Sequence, residues 1–180
     1  LCSIYGPNRD NSDFYENFKL DLRTIPNETI VIGGDWNATW DSRPVNENVD
    51  VINMVNIPSR RRSQQINALA RTFNLTEPFR FLCPEKKEFT FIPNILNNRN
   101  RSRLDFFLIS ENIVTECKNS KIPHALSSKL FDHKQPTIEF FSKKTRYPQK
   151  IKDTILKDKI LEPMLLVYTF DTYVNHAIIG

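Results

Sequence analysis

Residues 29–32, Thr-Ile-Val-Ile, form an apolar run without polar alternation and stop at Gly33-Gly34. A strand of this kind has both faces buried, so it needs a covering layer on each side. Further strands are expected at residues 1–5, 89–92, 104–109, 122–126 and 137–141, where apolar and β-branched residues cluster between turn residues. The first stops at Gly6-Pro7-Asn8. Two stretches have helical spacing instead. Phe14, Phe18 and Leu22 recur every fourth residue behind a cap at Asn11-Ser12-Asp13, and Pro26-Asn27 ends the pattern. Ile66, Leu69, Ala70 and Phe73 mark a second helix face. Residues 38–60 are expected to be a long polar loop, 94–100 an Asn-rich turn and 127–134 a polar turn. Strands interrupted by two helices and long loops predict an α/β or α+β fold.

A chain of 180 residues makes one domain, here with a tail of different character. Lys143, Lys144, Arg146, Lys150, Lys152, Lys157 and Lys159 dominate the start of residues 142–180, which are expected to be a basic connector or helix. Residues 161–180, with Tyr168, Phe170 and Tyr173, carry no motif. A net charge of +4 permits a polyanionic partner without demanding one. Cys2, Cys83 and Cys117 form no CxxC pair, which argues against a disulfide framework or a zinc knuckle. Neither a membrane-spanning run nor a basic-then-apolar leader is visible, so the setting expected is nuclear or cytoplasmic, with no membrane partner. Sequons at Asn27, Asn37 and Asn74 are then chance matches.

Three polar islands sit at strand ends: Gly34-Asp35-Trp36-Asn37, Ser102-Arg103-Leu104-Asp105 and Asp132-His133. Singly, each has an ordinary explanation: an Asx turn, an Asp105 pair with Arg101 or Arg103, a surface histidine. Together, three carboxylates, an amide and an imidazole are an inventory suited to phosphodiester hydrolysis with a hard divalent cation. The carboxylates and amide oxygen bind the cation or polarise water, and the imidazole handles a proton or offsets phosphate charge.

Tyr5-Gly6-Pro7-Asn8, Gly33-Gly34-Asp35-Trp36-Asn37, Phe89-Thr90-Phe91, Ser102-Arg103-Leu104-Asp105 and Asp132-His133 follow one another in this order. In that order they resemble the endonuclease/exonuclease/phosphatase family, with its deoxyribonuclease I-like fold. Phe79-Arg80 and Cys83-Pro84 bring the resemblance closest to the endonuclease domain of non-LTR (LINE-type) retrotransposons. It covers residues 1–141 and implies an incomplete two-sheet β-sandwich flanked by helices.

The resemblance also implies roles. Asp35 would align or deprotonate the attacking water. Asn37 would bind the water or the scissile phosphate, and Tyr5 would hydrogen-bond that phosphate. His133 would stabilise phosphate charge with its ring held by Asp105, and Asp132 would belong to a site for Mg2+, or Mn2+. DNA is the partner implied, nicked by a domain fused to a reverse transcriptase. Arg60, Arg61 and Arg62, with Arg99, Arg101 and Arg103, are candidate contacts to a nucleic-acid backbone. Trp36 stands where the family has Phe. The family's opening strands, one carrying Asn and one a metal-binding Glu, have no counterpart after Leu1, so the chain is expected to be an N-terminal truncation. Two other readings remain open: a sibling acting on abasic DNA, RNA or a phosphoinositide, and an inactive remnant that binds nucleic acid.

Overall fold

The computed structural model describes residues 1–26, 29–52, 59–93, 100–123 and 132–141, together with the backbone of 167–169. The strands are β1 (Cys2–Tyr5), β2 (Val31–Asp35), β3 (Val51–Ile52), β4 (Leu75–Thr76), β5 (Arg101–Ser102), β6 (Asp105–Ser110), β7 (Cys117–Lys121), β8 (Thr137–Phe140) and β9 (Val167–Thr169). The helices are α1 (Ser12–Thr24), α2 (Arg60–Thr72), α3 (Pro78–Leu82) and α4 (Glu111–Val114).

The first sheet has the order β1-β2-β6-β4, with β1 parallel to β2 and β6 antiparallel to both β2 and β4. A second sheet has the order β7-β8-β9, all antiparallel, and β3 pairs with β5 apart from both. Strand β6 is buried on both faces. Phe106 and Leu108 join Ile4, Ile32, Trp36, Tyr15, Leu22, Ile66 and Leu69 under the two long helices. Phe107 and Ile109 join Val31, Cys117, Ile138 and Phe140 between the sheets. The period-two alternation of a strand thus separates one apolar run into two cores. The expected mixed α/β architecture is what the described residues form, with the two long helices over one face of the first sheet and the second sheet packed on the other.

Local expectations hold where local chemistry decides. The Asn11 side chain caps α1 by accepting from the Phe14 amide at 3.1 Å. Elsewhere packing decides. Strand β2 does not stop at Gly33-Gly34 but runs through both to Asp35. A Cβ on Gly34, at φ +148°, would lie 2.0 Å from the Ile4 carbonyl oxygen. The glycine is therefore a close backbone approach inside a strand rather than its end. Residues 89–92 make only bridges at Phe91 instead of a regular strand. The strand expected at 122–126 is β7, five residues earlier, and 124–126 lie outside the described residues. Helices α3 and α4 were not expected. Glu77 capping the Phe79 and Arg80 amides, with Pro78 in the first turn, is the local signature of the former.

Between the loop before β3, helix α3 and strand β6 lies a buried ion network. Arg103 donates to Asp50 from Nε at 2.7 Å and from Nη2 at 3.1 Å, and its Nη1 lies 3.2 Å from Glu77. Arg80 pairs with the same Asp50 carboxylate. Burial alone would raise the Asp50 pKa, but the guanidiniums of Arg103 and Arg80 hold it below the usual carboxylate range. Two buried anions are matched by two buried cations, so the network is neutral, and each loss leaves a charge unpaired. This overturns Arg103 as a nucleic-acid contact: it is 1 % exposed and fully committed. Arg99 and the rest of residues 94–99 of the Asn-rich turn lie outside the described residues, as does the basic connector 142–160.

Replacing Arg103 with Met should therefore lower unfolding stability by about 3–5 kcal/mol. Arg101→Ala, at an exposed position, should change it by less than about 0.5 kcal/mol. Urea denaturation of both variants checks this.

Candidate active site

Strand register lines up the first half of the site. Tyr5 on β1 is the partner of Asp35 on β2, and Asp35 is the partner of Asp105 on β6. Register partners share a sheet face, so one row crosses three strands at the end of the first sheet. Past that row the chain turns. The Trp36 amide donates to the Leu104 carbonyl at 2.9 Å. Its indole stacks on Phe106 at 5.3 Å and donates Nε1–H to the Phe106 carbonyl. This indole is fully buried, so Trp serves as core here and supplies a hydrogen bond that Phe could not.

Asn37 follows in a left-handed conformation, φ +49°. Its amide donates to Asp35 Oδ1 at 2.8 Å, and its Nδ2 donates to the Gly6 carbonyl at 2.7 Å. Gly6 has no alternative, because a Cβ there would lie 2.2 Å from the Trp36 carbonyl oxygen.

His133 arrives from a distant segment on two backbone bonds. The Ile92 amide donates to the Asp132 carbonyl at 2.8 Å, and the Lys134 amide to the Thr90 carbonyl at 2.7 Å. Phe91, bridged to both Ser102 and His133, lies between them. The buried Thr90 also fixes the other partner. Its Oγ1 accepts the Leu104 and Asp105 amides, each at 3.0 Å. One residue thus holds both the backbone of Asp105 and the strand that carries His133.

The outcome is a 2.9 Å hydrogen bond from His133 Nδ1 to Asp105 Oδ2. With Asp35, these side chains offer donor atoms within 4.8 Å of one another. Of the residues expected at the site, Asp35, Asp105 and His133 meet directly. Asn37 joins through the Asp35 carboxylate. Tyr5 lies beside Asp35 with its side chain largely exposed, and Asp132 sits exposed at the rim.

Electrostatics separate the roles. Burial opposes the charge on His133, but the Asp105 bond and the charges of Asp105, Asp35 and Asp132 prevail and raise its pKa to about 9. Burial and the neighbouring Asp105 raise Asp35 to about 6, against the Asn37 amide and His133, which lower it. At neutral pH the ring is an imidazolium whose Nδ1 is taken, so it is a poor metal ligand and a good partner for an anion. The negative charge around Asp35 suits a divalent cation. Asp35 could hold Mg2+ or Mn2+ through hard carboxylate oxygens in the cluster with Asp105, and Asp132 is the exposed carboxylate expected to join it.

Arg62 was expected to face nucleic acid with Arg60 and Arg61. It is only 8 % exposed and donates to two backbone carbonyls. Arg60 and Arg61 are exposed on the first turn of α2, and Arg101 is exposed on β5. Thr90 is the supporting residue that sequence reasoning missed. Its only sequence signal was its place between two aromatics in Phe89-Thr90-Phe91.

Solved structures share this fold. A 3′-5′ exonuclease (NExo) from Neisseria meningitidis superimposes with a TM-score of 0.61 at 20 % identity, over 77 % of this chain and 59 % of that one. An AP endonuclease from Archaeoglobus fulgidus gives a TM-score of 0.59 at 17 % identity, over 76 % and 58 %. The fold is deoxyribonuclease I-like. In sequence, this deoxyribonuclease I-like chain is 28 % identical over 127 residues to the "Transposon TX1 uncharacterized 149 kDa protein" of Xenopus laevis. That match covers 68 % of the chain and 9 % of the Xenopus protein, so the chain spans a small part of it. No family model matches. No helix among the described residues is long and apolar enough to cross a membrane.

Both raised pKa values bear on stability. Between 6.5 and about 9 the folded chain keeps a proton on His133 that the unfolded chain has released. That contribution is complete below 6.5 and fades as pH rises through about 9. Asp35 likewise favours the protonated fold, so stability drops from pH 3.8 to about 6 and the penalty persists above. Asp35→Asn should therefore stabilise the chain at neutral pH in EDTA by about 1–2 kcal/mol, discounted for partial exposure, read as a higher Tm. Thr90→Val should cost about 1–3 kcal/mol through two orphaned amides, and Thr90→Ser should recover most of it in the same melts.

Proposed function

We propose that the chain is the nuclease part of a non-LTR retrotransposon polyprotein and nicks DNA by metal-dependent phosphodiester hydrolysis. The observation that carries this reading is the Asp105–His133 pair beside Asp35, at the strand ends of a deoxyribonuclease I-like fold. The likeness to a transposon protein supports the lineage, and a reverse transcriptase in the same polyprotein is part of the proposal. A third structural neighbour, a 3′ phosphatase NExo variant from Neisseria bound to a product DNA hairpin, supports DNA as the substrate class. It has a TM-score of 0.53 at 19 % identity, over 71 % of this chain and 50 % of that one.

The residues divide the reaction between them. Asp35, whose pKa burial and Asp105 raise to about 6 before any cation binds, accepts a proton from a water aligned in line with the phosphorus. Asn37, held through its nitrogen on Gly6, offers its amide oxygen to that water. His133, an imidazolium oriented by Asp105, faces the phosphate and offsets the negative charge that grows in the transition state. The exposed Tyr5 hydroxyl donates to a non-bridging oxygen. A bound Mg2+ or Mn2+ at Asp132 and Asp35 would act as a Lewis acid on the phosphate. Arg60, Arg61 and Arg101 are the exposed cations that would track the DNA backbone.

Supercoiled plasmid should be nicked by the chain in Mg2+ and not in EDTA. Asp35→Asn and His133→Ala should each lower the rate by about 10²–10⁴-fold. Mg2+ should raise the Tm of the wild-type chain and leave that of Asp35→Asn unmoved. Undiminished nicking by both variants would defeat the proposal. Salt-sensitive DNA binding without cleavage would favour a binding remnant.

A further inference from the structure

Arg62 stands in a basic triplet at the start of α2, yet it does not behave as a surface cation. Its Nη1 donates to the Asn37 carbonyl at 2.6 Å and to the Pro7 carbonyl at 2.8 Å. Its Nε lies 3.5 Å from Asp10 Oδ1, which supplies the counter-charge. Pro7 belongs to the turn after β1, and Asn37 to the turn after β2. One nitrogen thus spans the turn that follows Tyr5 and the turn that carries Asn37.

Asn37 is at φ +49°, a left-handed conformation that asparagine visits more readily than other side chains and that its hydrogen bonds still have to select. Three groups of Asn37 are engaged: its amide on Asp35, its side-chain nitrogen on Gly6 and its carbonyl on Arg62. Without Arg62 the carbonyl is released and the peptide can relax. We infer that Arg62 is a positioning residue of the site, whose buried guanidinium ties the β1 and β2 end loops together and holds Asn37 in its left-handed conformation. The inference rests on the proposed function for its kinetic consequence and on geometry alone for its structural one. Lysine is a poor replacement, because its ammonium is compact and strongly hydrated, whereas Arg62 sets Nη1 on both carbonyls while its buried Nε lies 3.5 Å from Asp10 without a hydrogen bond of its own.

The test uses 15N-labelled full chain as wild type, Arg62→Lys and Arg62→Gln. In both variants the Asn37 backbone and side-chain amides should lose at least about tenfold of their protection from exchange, as expected for removal of a charged hydrogen bond. The Leu108 and Ile109 amides should keep theirs, which reports an intact fold. In plasmid nicking, kcat should fall about 100-fold, as for a reacting group displaced by about 1 Å, with KM unchanged. The salt dependence of DNA binding should not change, whereas loss of a direct phosphate contact would lower its slope by about one. Unchanged Asn37 amides, unchanged kcat or a reduced salt slope each overturns the inference. If the wild-type chain does not nick at all, the proposed function fails and the Asn37 amides still decide the role of Arg62.

Discussion

The first sheet forces two carboxylates together. Antiparallel pairing of β2 with β6 places Asp35 opposite Asp105, and no slip relieves it. A shift of one residue would exchange Phe106 and Leu108 with Phe107 and Ile109 and turn both cores inside out. Like charges directly across a sheet repel, and here they are also partly shielded from water. The hydrophobic register therefore imposes an electrostatic problem, and the site is arranged as its solution. His133 brings a positive charge onto Asp105, the Asn37 amide serves Asp35, and the remaining negative surplus suits a cation.

Around this strained row the support is rigid and polar. Thr90 holds the Asp105 amide with its hydroxyl and the His133 segment with its carbonyl, so the pair cannot drift apart without breaking a buried bond. Two residues before Asp105, Arg103 anchors the start of β6 in the network of Asp50, Glu77 and Arg80. The network is charged but balanced, and the row beside it is charged and unbalanced. Balance makes the first a scaffold. Burial and the imbalance in the second raise the Asp35 pKa to about 6.

The arginines show why part of this was hidden. Arg60, Arg61 and Arg62 are adjacent in sequence, yet two face solvent and one is buried. Helical rotation decides which one turns inward, but the carbonyls it meets come from turns some 25 and 55 residues away. Arg101 and Arg103 divide in the same way, because the acids that claim Arg103 lie in a distant loop and helix. Charge is visible in a sequence, whereas its partner is not when that partner is far along the chain. The glycines repeat the lesson. Gly33-Gly34 looks like punctuation, but the close approach of β1 makes it the middle of a strand.

From residue order come the apolar runs, the Asn11 cap, the mixed α/β class and the polar islands near strand ends, while the expectation that Asp105 holds His133 came from the resemblance of the motifs to a known family. Each depends on short-range pattern or on motifs whose order survives in the chain. Only the folded structure assigned Arg62 and Arg103 to the interior, made Thr90 the hinge between Asp105 and His133, and set Asp35 against Asp105 in one row. These are contacts between segments remote in sequence. They are chosen by which faces pack, a property of the whole core that no local stretch encodes.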